Sequence, residues 1–397
     1  MRILITTFTY IPNKDGVAEA CRTMSEGLAR LGWDVSVATS MEHGNRLATR
    51  EELPADAVKI MDFDLRPDPA NGSAQQHEIR RYQNFVADGG FDLIVNQCWE
   101  VPTTRYLQPI LPTLTAKRVM VSHGYGLHVL IWQKRLTMGL GLWLRGLRFT
   151  LRNLPKLIRS YDSILFLSPQ KDMGRFFDHK LAGALRHPGI EVVANGIDLQ
   201  SFESAPEEFR LRHGIGDAPM ALCVANYCER KNQRLAVESF RQASIPGSVL
   251  VFIGSELNDY GKSTFAMDQI LAGKHPNCRV IFLEKLSREE TFAAFRECDF
   301  VLLTALAETQ PIVLIEAMAA GKPWVSTNTG CVASMSGGIV CKGKTALSAA
   351  IRKILSDSNL RRSLGSAGRQ EALLRHDAKK NIREFDRIFR KLVQLPS

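Results

Sequence analysis

A chain of 397 residues is too long for one ordinary core and fits two domains of roughly 150–200 residues each. With 45% hydrophobic and 23% charged residues, its composition is that of folded globular proteins and excludes disordered and fibrous classes. The net charge of +10 is not spread evenly, because the ten basic residues between Glu100 and Asp162 meet no acidic residue, while the other 41 balance the 41 acidic ones.

The opening segment MRILITTFTYIP has only Arg2 before a short apolar run and no small-residue cleavage pattern, so it reads as a first strand rather than a signal peptide. A loop with Pro12 and Gly16 follows, then a helix with Val17, Ala20, Cys21, Met24, Leu28 and Leu31 on one face, closed by Gly32. DVSVATS completes a βαβ unit, and 91–97, 118–124, 163–169 and 191–196 are further strand candidates. After the polar connection SFESAPEEFRLRHGIGDAP a second series predicts strands at 220–226, 248–255, 279–286, 299–305 and 323–327, separated by helical patterns. Beyond 344 the pattern is helical to the end. The fold class is α/β, with two Rossmann-like doubly wound domains over 1–197 and 198–375 and a last helix in 376–397 returning to the first. Such a tandem is expected to set the carboxyl ends of both sheets around one interdomain cleft.

Eight scattered cysteines without a C-x-x-C pair read as reduced thiols, and no stretch reaches the roughly 18 apolar residues of a spanning helix. A cytoplasmic protein, resting on the inner face of the membrane, is the expectation. Its surface contact is sought in residues 134–160. There Leu136, Leu140, Trp143, Leu144, Leu147, Leu151, Leu154 and Ile158 fall on one side at helical spacing, and Arg145, Arg148, Arg152, Lys156 and Arg159 on the other. Pro155 is expected to break or kink this helix. Two readings stand open: an interfacial helix on an anionic bilayer, serving a lipid-linked acceptor, or a surface helix packing its leucines on the first sheet.

The most informative stretch is ALAETQPIVLIEAMAAGKPWVSTNTG, 305–330. It leaves a strand, turns at Glu308 to Gln310 and enters a helix whose first residue is expected to be Pro311, where the missing N–H costs nothing. The amides of Ile312 and Val313 are then free for an anion, because unpaired N–H groups and the macrodipole both favour phosphate. Glu308 and Glu316 flank this start. They are either solvated glutamates or acceptors for the vicinal hydroxyls of a sugar or ribose.

The E-x7-E spacing of Glu308 and Glu316, followed by A-M-A-x-G-x-P ending at Gly321 and Pro323, resembles the signature of glycosyltransferase family 4, retaining enzymes with the GT-B fold. The resemblance covers nearly the whole chain and is most specific over 192–330. It implies that Glu308 holds the donor sugar and Glu316 the ribose, and that Gly16 lets a backbone amide approach the donor phosphates. Asp15 stands where many members have a second glycine. His123 in VSHGYGLH matches the histidine beside the reacting sugar. Lys231 matches a lysine that neutralises the diphosphate; Asn226 occupies the usual arginine position, and Arg230 is the candidate to supply that charge. Gln310-Pro311 replaces an aromatic–glycine pair.

Retaining transfer of a sugar from a UDP- or GDP-sugar to a hydroxyl acceptor, in cell-surface polysaccharide or glycolipid synthesis, is the resulting expectation. No D-x-D motif stands where a metal would be held, so transfer without metal or other cofactor is expected, and no nucleic acid partner. A nucleotide-sugar epimerase of the same architecture and a non-catalytic nucleotide-sugar binding protein are the alternatives. No G-x-G-x-x-G follows a strand, which disfavours a dehydrogenase.

Overall fold

The computed structural model describes residues 1–13, 15–40, 58–66, 73–125, 140–172, 176–202 and 208–394. They form two compact units, Met1–Gly196 with Lys379–Ser397, and Ile197–Ala378.

The first unit holds seven strands: β1 (Arg2–Thr7), β2 (Asp34–Ser40), β3 (Val58–Phe63), β4 (Leu93–Gln97), β5 (Lys117–Ser122), β6 (Ser163–Phe166) and β7 (Ile190–Val192). All pairings are parallel, in the order β3-β2-β1-β4-β5-β6-β7. The apolar runs of the interior strands are continuous because those strands are buried on both faces. Ile3, Ile5, Leu93, Val95, Val119 and Val121 point into one core, and Leu4, Ile94 and Met120 into the other. Helix α1 (Gly16–Arg30) and the C-terminal helix Ala378–Leu392 cover the first face, the latter through Phe385, Ile388 and Phe389. Gly27 of α1 lets the two helices approach, since a Cβ there would overlap Ile382. Trp33 Nε1 donates to Asp386 at 2.7 Å and fixes the returning helix.

The second unit has β8 (Met220–Val224), β9 (Val249–Gly254), β10 (Arg279–Glu284), β11 (Phe300–Leu303), β12 (Trp324–Thr327) and β13 (Gly338–Cys341), parallel in the order β10-β9-β8-β11-β12-β13. Its helices follow the same alternation, and Arg241 and Asp268, both almost wholly buried, hold two of them by a bidentate pair at 2.8 and 3.0 Å. Two further guanidinium hydrogens go to the carbonyls of His275 and Cys278, so that the buried charge is met by internal acceptors. In both sheets the chain starts in the middle, runs to one edge and returns to build the other side. The reversal lies between β1 and β4 in the first unit and between β8 and β11 in the second, the place outside whose carboxyl ends open parallel sheets bind ligands.

Strands β3 and β13 are additions to the sequence reading. Both are sheet edges with only partial burial, so their apolar pattern is weak. The break expected at Pro155 is not formed. Leu140–Arg148 continues through a π-helical turn at Phe149–Asn153 into Leu154–Arg159 without a break. Proline lacks an N–H and its ring collides with the carbonyl four residues back, and one wider turn relieves both. The expected single apolar side is also corrected. Leu154, Leu157 and Ile158 pack into the core with Tyr161 and Phe166, whereas Leu144 and Leu151 are 49% and 62% exposed among the exposed Arg148, Arg152, Lys156 and Arg159. Residues 134–139 of that stretch lie outside the described residues. No described helix is long and apolar enough to cross a membrane, and all eight cysteines are free.

Candidate functional site

In the second unit the loops after β8 and β11 leave neighbouring strands at the point of reversal, and hydrogen bonds join them. Thr304 Oγ1 donates to the carbonyl of Asn232 at 2.9 Å, and the Leu306 amide to that of Arg230 at 2.8 Å. This brings Arg230 and Lys231 of one loop to Glu308 of the other. Lys231 Nζ lies 2.6 Å and Arg230 Nη1 3.0 Å from the same Oε1, and Arg230 also donates to the Ala307 carbonyl at 3.0 Å. The carboxylate and the lysine are sheltered, while the arginine side chain is 56% exposed. Two cations on one anion leave a surplus positive charge at the mouth of the loop pair.

The Glu308 turn is clamped from β12's side. Its amide donates to Thr329 Oγ1 at 2.8 Å, and the Cys331 amide donates to the Thr309 carbonyl at 2.9 Å. Between these contacts Gly330 has φ +52°, and a Cβ there would overlap the carbonyl oxygens of Glu308 and Thr309. Glycine alone allows that close passage.

The following helix runs Ile312–Ala319. Pro311 sits one residue earlier than expected, as the N-cap, because its φ of −71° is combined with an extended ψ of 113°. Pro311 supplies no side-chain cap, which leaves the Ile312 and Val313 amides as candidates for an anion. Gln310 is buried beneath the turn, and Asn226 is exposed at the end of β8, its carbonyl accepting from Gln233 Nε2 at 3.0 Å. Glu316, in the second turn, is 3% exposed and paired with Arg288 Nη2. The Arg288 guanidinium lies over the Phe292 ring, 4.5 Å from its centre. Sequence reading missed Arg288 and Gly330. The only local signal for Arg288 is the capping box Ser287–Glu290, which makes it the first residue of the helix Arg288–Glu297; its meeting with Glu316 is tertiary.

In the first unit Gly16 is the exposed first residue of α1. Asp15, where the resemblance expects glycine, is the N-cap and accepts from the amides of Val17 and Ala18 at 2.9 and 3.0 Å. His123 directly follows β5, and its Nε2 lies 2.9 Å from Gln97 Oε1 at the end of β4. An amide oxygen only accepts, so Nε2 carries the proton. Burial pushes the His123 pKa down to about 4, against the opposing pull of Asp15. The imidazole is therefore neutral at pH 7. A folded pKa below the ordinary 6.5 contributes stability that is present above 6.5 and lost as pH falls through 4. Melting temperatures followed from pH 7 to pH 4 are expected to fall more steeply in the natural protein than in His123→Gln; parallel curves would contradict this environment.

Residues 206–371 match the family model described as glycosyl transferases group 1. N-acetyl-α-D-glucosaminyl L-malate synthase of Bacillus anthracis is 23% identical over 209 residues, 50% of this chain and 53% of that protein. The chain thus spans about half the length of the first curated relatives it matches. Among solved structures, sucrose-phosphate synthase from Thermosynechococcus elongatus superposes with a TM-score of 0.80 at 18% identity, covering 99% of both chains. Anabaena HepE in complex with UDP and glucose does so with a TM-score of 0.72 at 15% identity, covering 98% of this chain and 100% of that one. At such identities the likeness is one of fold. Residues 206–371 thus resemble the glycosyl transferases group 1, and the two parallel-sheet units have the fold of GT-B glycosyltransferases.

Proposed function

We propose that the protein is a retaining glycosyltransferase that moves a sugar from a nucleotide diphosphate donor to a hydroxyl acceptor without a metal. The observation that carries this reading is the convergence of Lys231 and Arg230 on Glu308 beside the uncapped start of helix Ile312–Ala319. A diphosphate offers these cations and the Ile312 and Val313 amides a better partner than one carboxylate. Its arrival frees Glu308 to accept from the hydroxyls of the donor sugar, and Glu316 is assigned the ribose. The cations and helix start then stabilise the charge that grows on the departing diphosphate, which is usually the largest single catalytic contribution. Neutral His123 is given a place beside the reacting sugar. Transfer on the face from which the diphosphate leaves, with a donor phosphate taking the acceptor proton, retains the configuration without a protein nucleophile. UDP is favoured as the donor nucleotide, because HepE, similar in fold, binds UDP and glucose.

The acceptor is placed at an anionic membrane surface, within cell-surface polysaccharide or glycolipid synthesis. Leu144 and Leu151 standing outward among Arg148, Arg152, Lys156 and Arg159 support this, since such a face buries apolar side chains between headgroups while its cations meet lipid phosphates. Vesicles containing phosphatidylglycerol are expected to sediment the protein at low salt. Arg148→Ala with Arg152→Ala should weaken this by about tenfold or more, at roughly 1 kcal/mol per basic residue. Equal binding to neutral phosphatidylcholine vesicles would contradict it.

The assay is nucleotide release over a panel of UDP- and GDP-sugars, with and without a membrane lipid extract, combined with NMR of the anomeric proton of the product. One donor consumed, release raised by the extract and an unchanged anomeric configuration are expected. An isomerised donor or binding without turnover would replace the proposal by the epimerase or the binding protein.

A further inference from the structure

The turn that carries His123 is tied to a buried carboxylate that neither the family pattern nor the donor site calls for. β5 ends at Ser122 and the chain turns at Gly124, φ +89°. Ser122 Oγ accepts from the Gly124 amide at 3.0 Å and donates to Asp178 Oδ2. Trp99 Nε1, from the loop after β4, lies 2.8 Å from Asp178 Oδ2 and 3.0 Å from Ser122 Oγ. The Tyr125 amide also favours the Asp178 charge, and the Tyr125 carbonyl accepts from the Phe177 amide at 2.8 Å. Ser122 on one side of His123 is thus held by the Asp178 side chain and Tyr125 on the other by the Phe177 backbone, both at the start of helix Asp178–Ala184.

Asp178 is fully buried, and burial raises its pKa against the pull of Ser122 and Trp99. Placing a carboxylate there is costly, and a purely structural tie between a strand end and a helix start is as well made by a neutral amide. What a carboxylate adds is acceptor strength: it holds several donors at once and fixes their directions. From this geometry we infer that Asp178 is a positioning residue, which through Ser122 and the Gly124 amide sets the orientation of His123 toward the reacting sugar. The inference rests on the role given to His123 above.

The consequence is read by a double-mutant cycle in the full-length protein, with Asp178→Asn as the change that keeps size and removes the charge. A displacement of about 1 Å costs on the order of 100-fold in rate. Asp178→Asn is therefore expected to lower kcat by about tenfold to 100-fold, with donor KM changed less than about threefold. In a His123→Ala background the same substitution should have almost no further effect on kcat, because residues that act as a unit are not additive. Full additivity of the two losses, or a loss confined to donor KM, would overturn the inference. Melting temperatures of all four proteins separate misfolding from misplacement, and Ser122→Ala is the second probe, expected to lower kcat in the same direction and likewise to be silent without His123. If His123→Ala alone leaves kcat unchanged, it is the assignment of His123 that fails.

Discussion

Glu308→Ala is expected to lower transfer at least about 100-fold, on the scale of removing one preorganised transition-state contact, with the protein still folded. The carboxylate sits where the loops after the two central strands β8 and β11 meet, and its Oε1 is the shared partner of Lys231 and Arg230. Its removal takes away the acceptor for the sugar hydroxyls and loosens the two cations meant for the diphosphate. Because the carboxylate and the lysine are both sheltered, the melting curve of the variant is what separates a lost contact from a lost fold. Lys231→Ala should act at the other side of the same pair, with a loss of similar size. Lys231→Arg keeps the charge but not the compact ammonium, and is expected to recover only part of the rate. Near-normal kcat in Glu308→Ala, at an unchanged melting temperature, would remove Glu308 from the reaction.

The second large effect is expected from Gly330→Ala. Its φ of +52° is already unfavourable for alanine, but the decisive fact is that the new methyl would occupy the space of the Glu308 and Thr309 carbonyl oxygens. The turn 308–310 must then move, and with it both the Glu308 carboxylate and the entry into helix Ile312–Ala319. A shift of about 1 Å costs on the order of 100-fold in rate, without any change in the groups that contact the donor. Steady-state kinetics and melting curves on Gly330→Ala test this. A variant with full activity would mean that the turn adapts and that its clamp by residues 329–331 has no catalytic meaning.

The amino-acid sequence made the interior strands legible because a strand buried on both faces carries an unbroken apolar run, as in Ile3–Ile5 of β1 and VLVFIG of β9. The edge strands β3 and β13 were not, since partial burial interrupts the apolar run: VKIMDF places Lys59 and Asp62 among its apolar residues, and GIVC is only four residues long. Lys231 and Glu308 were legible by spacing and resemblance, although 77 positions separate them in sequence, because each follows a central strand whose carboxyl end lies at the reversal of the sheet. Arg288 was not legible, as its meaning comes from the Phe292 ring and the Glu316 carboxylate, reached only through packing. The same holds for Asp178, whose partners Trp99 and Ser122 stand far upstream. Pro155 shows the converse: its chemistry was read correctly as incompatible with a regular helix, yet a single π turn absorbs the conflict, which local rules do not foresee.

Titration calorimetry of UDP into the natural protein and into Lys231→Ala tests the central claim most directly, namely that the loops after β8 and β11 hold the nucleotide diphosphate. Saturable binding to the natural protein, weakened at least about tenfold in Lys231→Ala as befits a lost charge-assisted contact of about 1.5–3 kcal/mol, is the predicted result. Equal affinity in the two proteins, or no binding by either UDP or GDP, would contradict it.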